Sequence, residues 1–295
     1  MHSKLARVVM VSTGILFFGS STAAFAAVPR VLHSNGPFIT SPAGGTGNIA
    51  GQPLSRPESF PLTPTLNGTS PGINTTISNG QKAADDFLVP DGGWDIDQLV
   101  VYAYQAPPGG ATTFSQTITT VKINLWNATT FSANSPSLPP GLPIPQPMLA
   151  EPLTFNVTGQ GEFVAHRTSG NSTTTIRPIY KFTLPADGLP NGGRLDAGQY
   201  WLEMSFDDSD GVASTITAIP LVTPRASAFN HNARLFNVPF TNAPLSWFEG
   251  REGFGSSVNP DGRAYALPFE LVGTPEPATL LAVGAAIGLI ARRRR

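Results

Sequence analysis

Cysteine is absent from this chain of 295 residues. That removes disulfides, a thiolate nucleophile and any Cys-ligated metal from consideration. Charge is scarce too. Asp, Glu, Lys and Arg make up 13 % of the residues, against about 25 % in an average domain. Beyond His2 the histidines are His33, His166 and His231, no two at a metal-ligand spacing such as i, i+4. No G-x-S-x-G elbow occurs. A Ser-His-Asp triad or a catalytic carboxylate pair leaves no spacing to search for, because geometry alone defines it. From these absences we expect no enzymatic activity and no cofactor. Between the two ends no long segment keeps a helical period, and there is no repeat of fixed length.

The N-terminus reads MHSKLARVVMVSTGILFFGSSTAAFAAVPR. Lys4 and Arg7 form a positive region, Val8 to Phe18 an apolar stretch, and Ala24-Phe25-Ala26 a small-x-small cleavage signal. These are the three parts of a secretory signal peptide over 1–26. An amphipathic helix or an uncleaved anchor is the competing reading, but the apolar stretch is short for a membrane span. The Sec translocon and signal peptidase are the partners this implies.

Between the ends, from Pro29 to Gly273, 12 basic residues face 18 acidic ones, a net charge of about −6. Phosphate binding needs clustered Lys and Arg, so nucleic acid is not an expected partner. Gly (30) and Pro (29) make up a fifth of the chain, above the roughly 12 % usual. Strand-like runs recur between these punctuators: Ile96 to Gln105, Phe114 to Trp126, Pro178 to Pro185, Gly198 to Phe206 and Ala264 to Val272. Val121, Ile123 and Leu125 alternate with Lys122 and Asn124, and Tyr180, Phe182 and Leu184 alternate with Ile179, Lys181 and Thr183, which is period 2. Turns are expected at Pro90 to Gly93, Asn191 to Gly193 and Asp196 to Gly198. Ser41 to Gly80 reads as loop, as does Asn134 to Pro147 with its six prolines. The expectation is all-β: a β-sandwich or jelly-roll-like fold over 27–273, as one large domain or two smaller ones.

Few residues stand out as chemistry. In ADDFLVPDGGWDID, Phe87, Val89, Trp94 and Ile96 are expected inside, with Asp85, Asp86, Asp91, Asp95 and Asp97 on the turn and solvent side. The alternative for these acids is a hard-cation site. Asp207, Asp208 and Asp210, next to Gly211, are the Ca²⁺ candidates, though the Glu that would complete an EF-hand is missing and a plain acidic turn competes. Trp94, Tyr102, Tyr104, Trp126, Trp201 and Trp247 are the candidate glycan-contact rings, since sugar-binding sandwiches use exposed aromatics. The bland competitor is that they are core. Five sequons, beginning at Asn67, Asn74, Asn127, Asn156 and Asn171, are matches expected by chance in a chain rich in Asn and Thr.

Three phrases carry a resemblance. NGPFITSPAGG (Asn35 to Gly45), ADDFLVPDGGWDIDQLVVYAYQ (Ala84 to Gln105) and LDAGQYWLEMSF (Leu195 to Phe206) resemble a group of exported bacterial proteins. The resemblance covers most of Asn35 to Gly273, so it implies a single domain rather than two, secreted and jelly-roll-like, with no assigned chemistry. The C-terminus, TPEPATLLAVGAAIGLIARRRR, is sharper. Its Pro-Glu-Pro triplet, apolar helix and terminal arginines resemble the PEP-CTERM sorting signal of Gram-negative bacteria, over 274–295. Pro275, Glu276 and Pro277 match the triplet, and Arg292, Arg293, Arg294 and Arg295 match the basic end; Thr274 stands where Val is usual. The resemblance implies recognition by an exosortase, transient anchoring in the inner membrane, delivery to the cell surface or outside the cell, and a link to extracellular polysaccharide and biofilm. The apolar run Ala278 to Ala291 has 14 residues, about 21 Å of helix, short for a hydrocarbon core of roughly 30 Å. Snorkelling arginines close part of that gap, and positive charge stays on the cytoplasmic side. A core helix would have to bury itself beside four like charges. The chain thus reads as an exported surface or matrix protein with a structural or adhesive role. A carbohydrate-binding module is the alternative, and a secreted hydrolase a more distant one.

Overall fold

β-branched and aromatic residues on alternate positions suit a pleated surface with one face buried, and strands form where that alternation occurs. The computed structural model describes residues 28–45, 51–55, 72–105, 117–127, 147–169, 172–208, 217–220, 233–236, 247–249 and 266–275. Among them the strands are β1 (Arg30–Ser34), β2 (Leu54–Ser55), β3 (Gly72–Asn74), β4 (Lys82–Val89), β5 (Trp94–Gln105), β6 (Ile118–Asn127), β7 (Leu153–Asn156), β8 (Glu162–Ser169), β9 (Ser172–Pro185), β10 (Arg194–Leu195), β11 (Gly198–Asp208), β12 (Thr217–Pro220), β13 (Arg234–Phe236), β14 (Trp247–Glu249) and β15 (Phe269–Pro275). The fold is all-β. The five runs expected as strands fall within or across β5, β6, β9, β11 and β15. The Ser41 to Gly80 stretch is not all loop: it holds β2, β3 and a 3-10 turn at Ile77–Asn79. The proline-rich stretch lies outside the described residues, apart from Pro147.

Two sheets result. The larger runs β1-β15-β5-β9-β8-β2, with β10 and β12 on β5 and β3 on β12; the smaller runs β14-β13-β4-β11-β6-β7. The long neighbours pair antiparallel, and β2 lies parallel to β8. Their inward faces share one apolar cluster. Leu99, Val101, Phe182, Phe269 and Leu271 come from the larger sheet, and Phe87, Ile123, Leu125, Leu202, Met204 and Phe206 from the smaller. Ring contacts cross the gap, with Phe87 against Phe269 at 6.0 Å and Phe182 against Phe206 at 6.4 Å between centroids. Each such side chain stabilises the fold by about 1.5–3 kcal/mol when fully buried. This β-sandwich-like core is where a chain without disulfides finds its stability.

Turn chemistry sets one end of the stack. Pro90 to Gly93 joins β4 to β5, with Gly92 and Gly93 at positive φ. The Pro190–Gly193 turn lies against β5, and Gly193 has φ +96 with the Ile96 carbonyl oxygen standing where a β-carbon would need room. A β-carbon there meets both an unfavourable backbone conformation and a backbone atom that cannot swing away. Among the described residues no helix is long and apolar enough to cross a membrane, and the apolar run at 278–291 lies outside them.

Gly193→Ala is expected to cost about 1–3 kcal/mol and to lower the thermal midpoint by several degrees. Gly192→Ala, with φ +68 but nothing within 4 Å, is expected to cost less. A scanning-calorimetry comparison in which the two variants melt together contradicts the close-approach explanation.

Candidate functional site

Three segments, around Asn35, around Asp85 to Trp94 and around Tyr200, meet at one place, beside two buried acids. Asp85 and Asp86 are 1 % and 3 % exposed. This corrects the expectation that both lie on the solvent side. They sit inside β4, not in the turn, so strand alternation sends one to each face of a covered sheet. Asp91 and Asp97 are exposed and Asp95 half-buried, as expected of the turn.

Asp85 points inward, on the same side as Ala83, Phe87 and Val89. Its Oδ2 accepts from the Asn35 side-chain amide at 2.5 Å and from the Leu267 backbone N–H at 2.7 Å. Its Oδ1 accepts from the Asp86 N–H at 3.0 Å. One carboxyl group thus joins the segment after β1, the middle of β4 and the segment before β15. Beside it Phe87 stacks on Tyr200 at 5.6 Å and on Trp94 at 6.4 Å, and His33 of β1 packs between Phe87 and Phe269. Asn35 belongs to the first phrase, Asp85, Phe87 and Trp94 to the second, and Tyr200 to the third. Their grouping is explained by packing.

Asp86 points to the outer face of the smaller sheet, where its Oδ2 accepts from the Gln199 amide at 2.7 Å. Four positions along β11 from Gln199, Glu203 accepts from the Trp126 ring N–H at 2.8 Å and pairs with the Lys82 ammonium at 3.0 Å. Lys82 also lies 5.0 Å from the Phe236 ring centroid. Trp201 is in register with Trp126 on one side and Asp86 on the other. The result is a polar and aromatic stripe in which each carboxylate is held by at least one donor. Sequence reading missed Asn35, Glu203 and Lys82. Their signal is parity: each sits on a strand or just past one, but its partner lies on another strand far along the chain.

The candidate glycan-contact rings are placed differently from the expectation. Trp94, Tyr102, Tyr104, Trp126 and Trp201 are all buried, the most exposed at 7 %. The correction has a plain physical cause: large rings are consumed by packing when no disulfide supplements the core. Tyr102 packs edge-on to Phe38 and donates to Glu270 Oε1 at 2.9 Å. Of Trp247 only the backbone, in β14, is described. Asp207 and Asp208 are half-buried at the end of β11, and Asp208 accepts from the Gln105 amide at 3.2 Å. Asp210 lies outside the described residues, and among those described no three acidic or histidine side chains form a group suited to a metal ion. Ala24, Ala26, Glu276, Pro277 and Arg292 to Arg295 also lie outside them. Thr274 and Pro275 do not: they continue β15, in register with Asp95 and Trp94.

Burial disfavours the ionised form of Asp85 and pushes its pKa well above the ordinary value. The Leu267 amide opposes this, and the neighbouring Asp86 charge adds to it. The folded chain therefore keeps this proton to higher pH than the unfolded chain. The stability Asp85 contributes is full below about pH 4 and is lost as pH rises through the folded value. His33 acts with the opposite sign. Burial lowers its pKa to about 4, so its contribution is full above about pH 6.5 and is lost as pH falls toward 4. The two slopes oppose each other between those limits. Asp85→Asn, which cannot titrate, is expected to unmask the His33 slope, so that stability in denaturant titrations falls more steeply from pH 6.5 to 4 than in the parent. Parallel profiles contradict this. Asp85→Ala strands the Leu267 and Asn35 donors and is expected to cost at least about 1–3 kcal/mol. No family model matches the chain, and no curated protein matches it.

Proposed function

We propose that this chain is an exported surface or matrix protein whose folded part is a single jelly-roll domain with a structural or adhesive, non-enzymatic role. In this reading it is led out by a cleaved signal peptide and sorted by an exosortase acting on its C-terminal segment. The strand order supports the jelly roll. Taking β1, β4, β5, β6, β7, β9, β11 and β15 as first to eighth, the sheets read first-eighth-third-sixth and second-seventh-fourth-fifth, two interlocked Greek keys.

The observation that carries the sorting reading is where the two ends of the domain emerge. β1 and β15 are antiparallel neighbours, with Arg30 opposite Gly273. The proposed cut after Ala26 and the Pro-Glu-Pro triplet therefore flank the same end of the same sheet. Pro275 is both the last residue of β15 and the first of the triplet. In this reading a processing step beyond this end leaves the described strands of both sheets in place.

Intact-mass measurement of the protein from its native cells tests this. A product that begins at Ala27 and has lost the terminal arginines is expected. A mature chain still ending in Arg295 overturns the sorting reading.

A further inference from the structure

The outer face of the larger sheet carries a group that neither the core nor the export reading explains. Arg167 of β8 and Arg177 of β9 are directly opposite each other across the antiparallel pair. Ala165 and Ile179, next on the same face, pack with Phe38, Tyr102 and Tyr104 in an apolar cluster. The arginines thus continue a covered surface. Like charges placed directly opposite on a sheet repel each other, and guanidinium groups are always protonated.

The site is held from several directions. Arg167 is 0 % exposed, and its Nη1 donates to Ser55 Oγ at 2.7 Å; Ser55 Oγ in turn donates to the Phe38 carbonyl at 2.5 Å. Arg177 is half-buried, and its Nη1 is buried with no hydrogen-bond acceptor. Tyr104, one strand over and in register with Ile179, feels the charge of both arginines. Burial raises its pKa to about 12 against that pull, so the hydroxyl remains a donor at neutral pH. The face therefore gathers two guanidinium forks and a phenol, all donors, within a domain whose net charge is negative.

We propose that Arg167, Arg177 and Tyr104 form a binding site for a planar oxyanion, a carboxylate seated between the two guanidinium groups. A carboxylate matches the guanidinium fork with two parallel hydrogen bonds. It converts the repulsion of the opposed arginines into attraction and gives Arg177 Nη1 the acceptor it lacks. The carboxylate comes either from a small free acid or from an acidic sugar in a polymer, and the chemistry is shared.

The test is thermal unfolding and calorimetric titration of the full folded protein at pH 7.5. The probes are sodium acetate, an oligogalacturonide, an uncharged oligosaccharide, and sodium chloride at matched ionic strength. A saturable rise in melting temperature with acetate or the oligogalacturonide, absent with chloride and the uncharged sugar, is expected. Arg177→Gln is expected to weaken binding at least tenfold, and Arg177→Lys, which keeps the charge without the fork, to recover only part of it. Tyr104→Phe removes one donor and is expected to weaken binding several-fold; it carries the decision if Arg177→Gln does not fold. Tighter binding of the oligogalacturonide per carboxylate assigns the polymer source, and equal binding the free acid. Stabilisation by chloride equal to that by acetate, or unchanged binding in both Arg177→Gln and Tyr104→Phe, overturns the proposal.

Discussion

One buried carboxyl group holds the two ends of this domain to its middle. Asp85 accepts hydrogen bonds from Asn35, 50 positions before it, and from the Leu267 N–H, 182 positions after it. A buried donor left without an acceptor costs about as much as several good contacts gain. The segments flanking β1 and β15 therefore dock only where Asp85 is. That placement sets β15 between β1 and β5, brings Phe269 onto Phe87, and closes the apolar cluster at that end of the sandwich. With no disulfide available, a polar clamp across three segments does the work a covalent staple does in disulfide-bonded domains.

The same logic explains how the segments around Asn35, Asp85 and Tyr200 come together. Asn35, Asp85, Phe87, Trp94 and Tyr200 touch one another through rings and hydrogen bonds, and Gly93 and Gly193 allow the β4–β5 and β10 turns to press on their neighbours. None of these residues is offered to solvent as a ligand contact. These segments close the domain. The outer faces of the two sheets carry the other side-chain groups. Here those faces hold the Asp86, Gln199, Glu203, Lys82 and Trp126 stripe on one sheet and the Arg167, Arg177 and Tyr104 group on the other.

Much of the fold was legible in the sequence. The alternation at Val121, Ile123 and Leu125, and at Tyr180, Phe182 and Leu184, identifies both the strands and their inward faces, because a half-buried sheet imposes period 2. The Pro90 to Gly93 turn is legible because glycine reaches positive φ without cost. Asp85 and Asp86 were not, because composition places acids outside, and the donors that make burial tolerable are distant in the chain. The aromatic candidates were misplaced for a related reason: a ring on a strand looks the same in sequence whether its face is open or covered. The short strands β2 and β3 fall in a stretch dominated by Pro, Gly, Ser and Thr, where local propensity is weak and pairing with β8 and β12 decides. The opposed arginines escape sequence reading because β8 and β9 must first be placed in register.

The central claim is that the Asp85 clamp makes β1, β4 and the segment leading into β15 one cooperative unit. Native-state hydrogen exchange measures this directly. The amides of β1 that bond to β15, the Leu267 amide and the β4 amides that bond to β11 are expected to share one opening free energy, and in Asp85→Asn the β1 and Leu267 amides are expected to separate to a lower value. Contradiction would be a parent protein in which β1 and Leu267 exchange freely while β4 stays protected, for then the two ends are docked loosely and the carboxyl group holds nothing.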